Sequence, residues 1–562
     1  MTIGMILTAI LISTTAVTIT EPVDGETYDG DWLPLRAIVE NENEVPDSVH
    51  YSLNGAAVVL IPRLNTDWYT YMQNDLHHGY SESPAPHNNT VLWTAPITGT
   101  EHEFPTPVVV NGLVYYPQDH GGEDLYALDA ATGEVEWIFI GTGDTDDAVT
   151  VKDGRLYTAS DSIWCLDALT GERIWAFGDA NWTGSTPAVV NGNVFCGRRG
   201  VGISIVFCLD AATGAEIWTD TIPGETMSCM TIWNGKVFIP TFDNFSESSL
   251  YALDANSGSI IWENTDSYWG YWDSSPVVVD SVIYISGFYN QMLAIDAMTG
   301  TTIWEAIYTD KYFTATPAYN DGKLYFADEI HSNYSIDAFT GNTIWEVPGG
   351  HHGSSGIADG IVIFGEIDNP DGARVIALDS NTGENIWSYQ TGGSNICSSP
   401  AITDGIVYIA GMDWNLYAFG VGLKYTYREE YFYAEVGPNE LIVTSFDGGT
   451  AVAADTINFT VTQTGISLEP STRLALYASP NPFYSIASIS FELSEPGWTS
   501  VTVYDLSGRI VRTLENSEHA TGQHSIVWDG RKENGELVSA GLYLCRIKSG
   551  GISETTGLCL LR

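Results

Sequence analysis

The sequence predicts an all-β protein in which an eight-bladed propeller of four-stranded sheets is flanked by immunoglobulin-like sandwiches. Three observations carry that reading. One phrase recurs along the chain, beginning as "LYALDAATGEVEW", and its seven copies end at Trp137, Trp175, Trp218, Trp262, Trp304, Trp345 and Trp387, 38 to 44 residues apart. Before six of the seven copies, two short β-rich runs flank an Asn-Gly or Asp-Gly pair, as in "TPVVVNGLVYYPQ", which is the strongest short-range hairpin signal. Outside the repeats, the flanks alternate apolar and polar residues with the period of half-buried strands.

The first 17 residues, "MTIGMILTAILISTTAV", form an apolar run of signal-peptide length with small residues near Ala16, although no Lys or Arg precedes it. We expect an exported protein. No other apolar run approaches the length of a membrane-spanning helix. Residues 18–66 supply the opening strands of an immunoglobulin-like domain and residues 420–467 its closing strands and a linker. Each piece is too short to make a sandwich alone, so the sequence predicts one such domain with the propeller inserted into it, an arrangement helped by the closeness of domain termini.

Residues 67–419 hold the repeats. In each unit a hairpin gives two strands, "LYALD" a third, and "EVEWIF" a fourth, with "DAATG" as the turn between the last two. Asp129 can accept from backbone N–H groups just ahead, and Gly133 can take the positive φ that such a turn needs. Four antiparallel strands in roughly 42 residues make one propeller blade. Hairpins begin near residues 107, 148, 187, 229, 276, 317, 356 and 400, which makes eight. The eighth unit stops at "LYAFG" with no tryptophan strand, while "TVLWTAPI", with Trp93, precedes the first hairpin and has no blade of its own. The sequence therefore predicts that Trp93 closes the eighth blade, leaving no open sheet edge at the join.

These units resemble the pyrroloquinoline-quinone (PQQ) repeat family, whose docking motif matches Ala127, Asp129, Thr132, Gly133 and Trp137 here. The resemblance implies that Trp93, Trp137, Trp175, Trp218, Trp262, Trp304, Trp345 and Trp387 pack between blades as structure rather than as a site. Residues 67–86, "DWYTYMQNDLHHGYSESPAP", look like the lead-in segment of such propellers.

Residues 468–562 read as a separate sandwich. Pro480-Asn481-Pro482-Phe483, Tyr504-Asp505, Trp528-Asp529-Gly530 and Gly541-Leu542-Tyr543 resemble the Ig-like domain of flagellar hook-capping proteins, and similar C-terminal domains serve as type IX secretion sorting signals. That likeness implies export to the cell surface or medium, with the secretion machinery as a partner.

Charge narrows the function. The chain carries 21 Lys and Arg against 71 Asp and Glu, net −50, with 8 and 9 of these in residues 471–562. So negative a field repels phosphate backbones and anionic lipid, which argues against nucleic-acid and membrane-surface binding. The seven cysteines show no CxxC pair, so neither a zinc site nor a disulfide framework is expected, and Cys165 and Cys208 read as core residues.

Chemistry is expected where the loops vary while the strands repeat. The segments before each innermost strand ring one mouth of the channel, and they offer His102, Glu103, Asp146, Trp182, Tyr271, Trp272, Asp273, Lys311, Tyr312, His351, His352 and Asn395. Aromatics, carboxylates and histidines in a ring suit a protein or carbohydrate ligand at the propeller face. No catalytic residue or metal ligand is assigned, because no nucleophile elbow, zincin, P-loop or Rossmann pattern is present. The expected function is a secreted or cell-surface non-catalytic binding scaffold with no cofactor. The alternatives are a dehydrogenase of alcohols or sugars using PQQ and Ca2+, which the family resemblance implies, and a structural surface-layer or adhesion component.

Overall fold

A computed structural model describes residues 16–560 except 25–26, 30–31, 42–47, 55–58, 62–64, 98–105, 118–123, 141–147, 179–184, 227, 243–247, 268–269, 272, 330–331, 351–352, 367–372, 394–397, 434–436, 448–449, 463–474, 480–486, 494–496, 505–509, 529, 533–536, 539–540 and 550–551. No helix occurs among the described residues, and the chain divides into two units, Met1–Thr462 and Gln463–Arg562.

In the first unit, eight sheets follow one another along the chain, each built on four antiparallel strands, with Tyr80–Ser81 added in parallel as a fifth strand of the seventh. Blade 1 runs Val108–Val110, Leu113–Pro117, Asp124–Asp129 and Val135–Ile140, all antiparallel. The hairpin turns are set by Asn-Gly chemistry: Asn111 and Gly112 both have positive φ, 51° and 79°, as a two-residue turn that follows the strand twist requires. Blade 8 consists of Ala401–Thr403, Ile406–Gly411 and Asn415–Phe419, and its outer strand is Val91–Pro96, with Trp93 opposite Ala418. First strands of neighbouring blades lie side by side from blade 1 through blade 5 and from blade 6 through blade 8, and that of blade 8 returns to that of blade 1.

The blades are fastened by one device used repeatedly. The Asp129 carboxylate accepts from the Ala131 and Thr132 N–H groups and the Thr132 hydroxyl, which fixes the Asp-x-x-Thr-Gly turn. Gly133 then presents a bare backbone, at φ +73°, to the tryptophan of the preceding blade. A Cβ there would lie 2.6 Å from Cε3 of Trp93, so only glycine allows the indole to seat. The Trp93 Nε1–H donates to Ala130 O at 3.0 Å. The same bond recurs from Trp137, Trp175, Trp218, Trp262, Trp304 and Trp345 to the next blade, while Trp387 donates to Pro86 O. Each tryptophan is therefore a bolt between blades, with its one polar atom satisfied.

Strands from both ends of this unit form two further sheets. Ala16–Glu21, Trp32–Asn41 and Leu423–Tyr433 make one; Thr27–Asp29, Thr450–Thr462, Gly437–Asp447, Ser48–Leu53 and Val59–Ile61 make the other. They share a core of Val17, Ile19, Leu35, Val39, Val49, Leu441, Val443, Ile457 and Phe459. The first strand begins at Ala16 and buries Val17, so it starts inside the stretch that the sequence assigns to a leader ending at residue 17. Residues 1–15 of that leader lie outside the described residues.

The second unit packs Ala475–Ser479, Ala487–Leu493 and Gly522–Trp528 as one sheet and Ile510–His519, Gly497–Tyr504, Gly541–Ser549 and Ile552–Leu560 as another. Its core includes Ile489, Phe491, Val501, Val503, Trp528, Cys545 and Ile547. Cys165 and Cys208 are buried in the blades, and loss of water pushes both thiols up to about 11.

Candidate functional site: the propeller axis and its mouth

The axis is occupied by the chain itself. Leading into the propeller, Trp68 pairs with Val109 in both directions at 2.8 Å. Tyr69 O then accepts from Val151 N, Leu76 O from Val278 N, His78 O from Tyr319 N and Gly79 O from Ile357 N, at 2.7–3.1 Å. Thr66 reaches Thr403 through a hydroxyl pair at 3.0 Å, and Tyr80-Ser81 runs parallel to Ile357-Ala358. With His77 against Thr231 as well, one segment thus touches the innermost strands of blades 1, 2, 4, 5, 6, 7 and 8. Its path is contorted: Met72, Gln73 and His77 all take positive φ, a conformation costly for residues with a Cβ. Packing and polar contacts offset that cost. Met72 is fully buried, Asp75 pairs with Lys152 at 2.6 Å, and His77 Nδ1 lies 2.9 Å from Thr231 Oγ1. Burial lowers the His77 pKa to about 4, so the ring is neutral.

Outward from this segment, toward the mouth, lies a belt of hydroxyls at one repeated position. Thr106, Thr186, Ser275, Thr316, Ser354 and Ser399 each stand just before an innermost strand, and all are buried. Backbone N–H groups donate around the ring, from Cys229 to Ser275 Oγ, Ser275 to Thr316 Oγ1, Thr316 to Ser354 Oγ and Ser354 to Ser399 Oγ, at 2.8–2.9 Å. The Tyr71 hydroxyl sits 2.8 Å from Ser354 Oγ and 3.1 Å from Thr316 Oγ1, tying the axial segment to this belt. The belt therefore stitches blades 4 to 8 where the tryptophans cannot reach.

Of the residues expected at the mouth, His102, Glu103, Asp146, Trp182, Trp272, His351, His352 and Asn395 lie outside the described residues. The other four are not brought together. Tyr271 is completely buried in a core with Phe238, Leu250 and Val278, and burial raises its phenol pKa far above the usual value. That corrects its assignment as a ligand contact: a loop residue that packs inward has no surface to offer. The Lys311 ammonium turns into the blade wall, where it pairs with the buried Asp328 at 2.6 Å. Tyr312 alone presents a face to solvent, 41% exposed, and it packs against Phe288 and Tyr289 with centroids 5.7 and 5.4 Å away. Asp273 is half-buried. Blade meanders alternate their turns between ends, so Phe288, Tyr289 and Tyr312 share the end that carries the mouth loops. Among the described residues, no three His, Cys, Asp or Glu side chains converge as metal ligands.

Comparison with known proteins agrees with this geometry. A family model described as "Outer membrane protein assembly factor BamB" matches residues 85–195, 159–270 and 246–422, and one described as "FlgD Ig-like domain" matches residues 485–551. The basal-body rod modification protein FlgD of Salmonella typhimurium is 38% identical over 60 residues, 10% of this chain, and the chain spans only 26% of that protein. Among solved structures, quinohemoprotein alcohol dehydrogenase from Comamonas testosteroni superposes with a TM-score of 0.53 at 16% identity, covering 66% of this chain and 82% of that one. Quinohemoprotein alcohol dehydrogenase ADHIIG from Pseudomonas putida HK5 gives 0.51 at 16% identity, covering 75% and 83%. Likeness at this identity shows a shared fold.

Proposed function

The chain belongs to the PQQ-like repeat family whose model is described as outer membrane protein assembly factor BamB, and from that premise we propose that it is an exported, non-catalytic binding scaffold. Its propeller mouth engages a protein or carbohydrate ligand, and its C-terminal domain hands it to the secretion machinery for the cell surface or medium. The observation that carries this reading is the state of the axis. The lead-in segment fills it, and the belt hydroxyls of Ser275, Thr316, Ser354 and Ser399 accept hydrogen bonds from neighbouring backbone amides, so these side chains hold blades together. What varies between blades is the outer end of the mouth, where exposed Tyr312 stands with Phe288 and Tyr289. Aromatic faces of this kind supply large contact area at low entropic cost to either a peptide or a sugar ring.

The dehydrogenase reading requires a bound PQQ, which would accept the substrate's electrons, and a Ca2+ ion with 6–8 oxygen ligands. The non-catalytic reading is supported by how many of the described polar groups around the axis are already engaged. Ser275, Thr316, Ser354 and Ser399 of the belt already accept from amides, Asp75 is held by Lys152, and the Lys311 ammonium is locked on Asp328. The adhesion reading shares the binding chemistry and differs only in the partner.

The test is ligand binding by the full chain on glycan and peptide arrays, repeated with Tyr312→Ala and with Leu169→Ser, an exposed position in the turn at the opposite end of its blade. Binding lost in the first variant and kept in the second supports a mouth site. Equal binding by both variants would place recognition elsewhere.

A further inference from the structure

The C-terminal unit carries a pair of histidines whose hydrogen-bond bookkeeping leaves a gap for a cation. His519 ends the strand Ile510–His519 and His524 lies early in Gly522–Trp528, so one tight turn brings their rings to a centroid distance of 4.7 Å, nearly perpendicular. His524 also stacks on the buried Phe491, which fixes its plane.

The protons can be assigned from the partners. His524 Nε2 lies 2.7 Å from Ala520 O, and a carbonyl only accepts, so Nε2 carries the hydrogen. The Ser517 hydroxyl spends its single hydrogen on Glu515 Oε1 at 2.7 Å. His519 Nε2, 3.3 Å from Ser517 Oγ and 3.8 Å from Glu515 Oε2, must then be the donor on its side. With both Nε2 atoms protonated, the neutral rings turn two bare Nδ1 lone pairs toward each other, and these stand 3.3 Å apart.

Two lone pairs in that position need a positive centre between them. Two Zn–N bonds of about 2.0–2.1 Å at a tetrahedral angle put the nitrogens about 3.3–3.4 Å apart. Metal-bound histidines also characteristically donate the other ring N–H to a carbonyl or carboxylate, as Ala520 and the Ser517–Glu515 pair allow here. We propose that His519 and His524 form a two-histidine site, through their Nδ1 atoms, for a divalent transition metal such as Zn2+. No third metal-ligating side chain converges among the described residues, so solvent or a group from another molecule completes the coordination. Nothing in this argument depends on what the propeller binds.

The experiment is a calorimetric Zn2+ titration of the full chain, stripped with chelator, alongside His519→Gln, His524→Gln and Ser517→Ala. The acidic surface will take up some Zn2+ in every sample, so the difference in stoichiometry is the readout. Wild type should bind one more equivalent than either histidine variant. Ser517→Ala should keep that equivalent with affinity reduced about 10–100-fold. Identical stoichiometry in wild type and both histidine variants overturns the site, and would mean that the pair shares only a proton. Should the histidine variants fail to fold, Ser517→Ala decides: an unchanged titration overturns the site as well.

Discussion

Replacing Trp93 by alanine should destabilise the propeller as much as replacing a tryptophan in the middle of the repeats. Trp93 lies outside the run of copies in sequence, yet its strand is the outer edge of blade 8, opposite Ala418. Its indole is 9% exposed, matching Trp218, and both donate to the next blade at 3.0 Å. Removing a large buried aromatic costs about 3–5 kcal/mol. The orphaned Ala130 carbonyl also accepts from Tyr408 at 3.0 Å, so it keeps a partner and adds little to the cost. Trp498, 61% exposed in the C-terminal unit, is the control, with an expected change within about 0.5 kcal/mol. Urea melts followed by circular dichroism, with calorimetry as a second probe, should place Trp93→Ala beside Trp218→Ala and both well below Trp498→Ala. If Trp93→Ala melts like Trp498→Ala, the lead-in strand does not close the ring and the argument from docking geometry is wrong.

Further outcomes follow from the same contacts. Truncation after residue 462 should leave the first unit folded, because each unit has its own core, but should strand the protein in the periplasm of its native host; fractionation and immunoblotting read the result, and normal surface delivery would make the domain a spacer. Tyr71→Phe should cost about 1–2 kcal/mol through loss of its two hydroxyl contacts, measured by the same urea melts. His77 has a folded pKa of about 4, below its ordinary 6.5, so the unfolded chain binds more protons between those values. Stability should therefore be full above about pH 6.5, fall as pH drops toward 4 by on the order of 3 kcal/mol, and level off below it. His77→Gln should flatten that part of the stability–pH curve.

Much of the fold is legible because each repeated residue has one physical task. Asn111-Gly112 turns the hairpin, Asp129 caps its own turn, Gly133 clears space, and the indole fills it. The position of Trp93 follows from counting strands against blades. The axial segment is different: residues 67–81 show no period, and their bonds are made mostly by backbone atoms, which no side-chain pattern reveals. The hydroxyl belt did leave a signal, the Ser or Thr before proline at 106, 186, 275, 316 and 399, but a repeated Thr-Pro or Ser-Pro reads first as strand punctuation. Tyr271 and Lys311 show the remaining limit. Loop position predicts surface, whereas the direction of a side chain is decided by neighbours from other blades, Phe238 for one and Asp328 for the other. The paired histidines 519 and 524 lie five residues apart, and only the hairpin turn makes them face each other.

The account rests on a propeller that binds without catalysing, and one measurement meets that claim directly. Purified full-length protein is incubated with PQQ and Ca2+, freed of excess cofactor, and assayed for a retained chromophore and for dye reduction with a panel of alcohols and sugars. The account predicts neither retained chromophore nor substrate-dependent reduction above the protein-free control. Stoichiometric PQQ with turnover that depends on substrate would contradict it and make the protein a dehydrogenase.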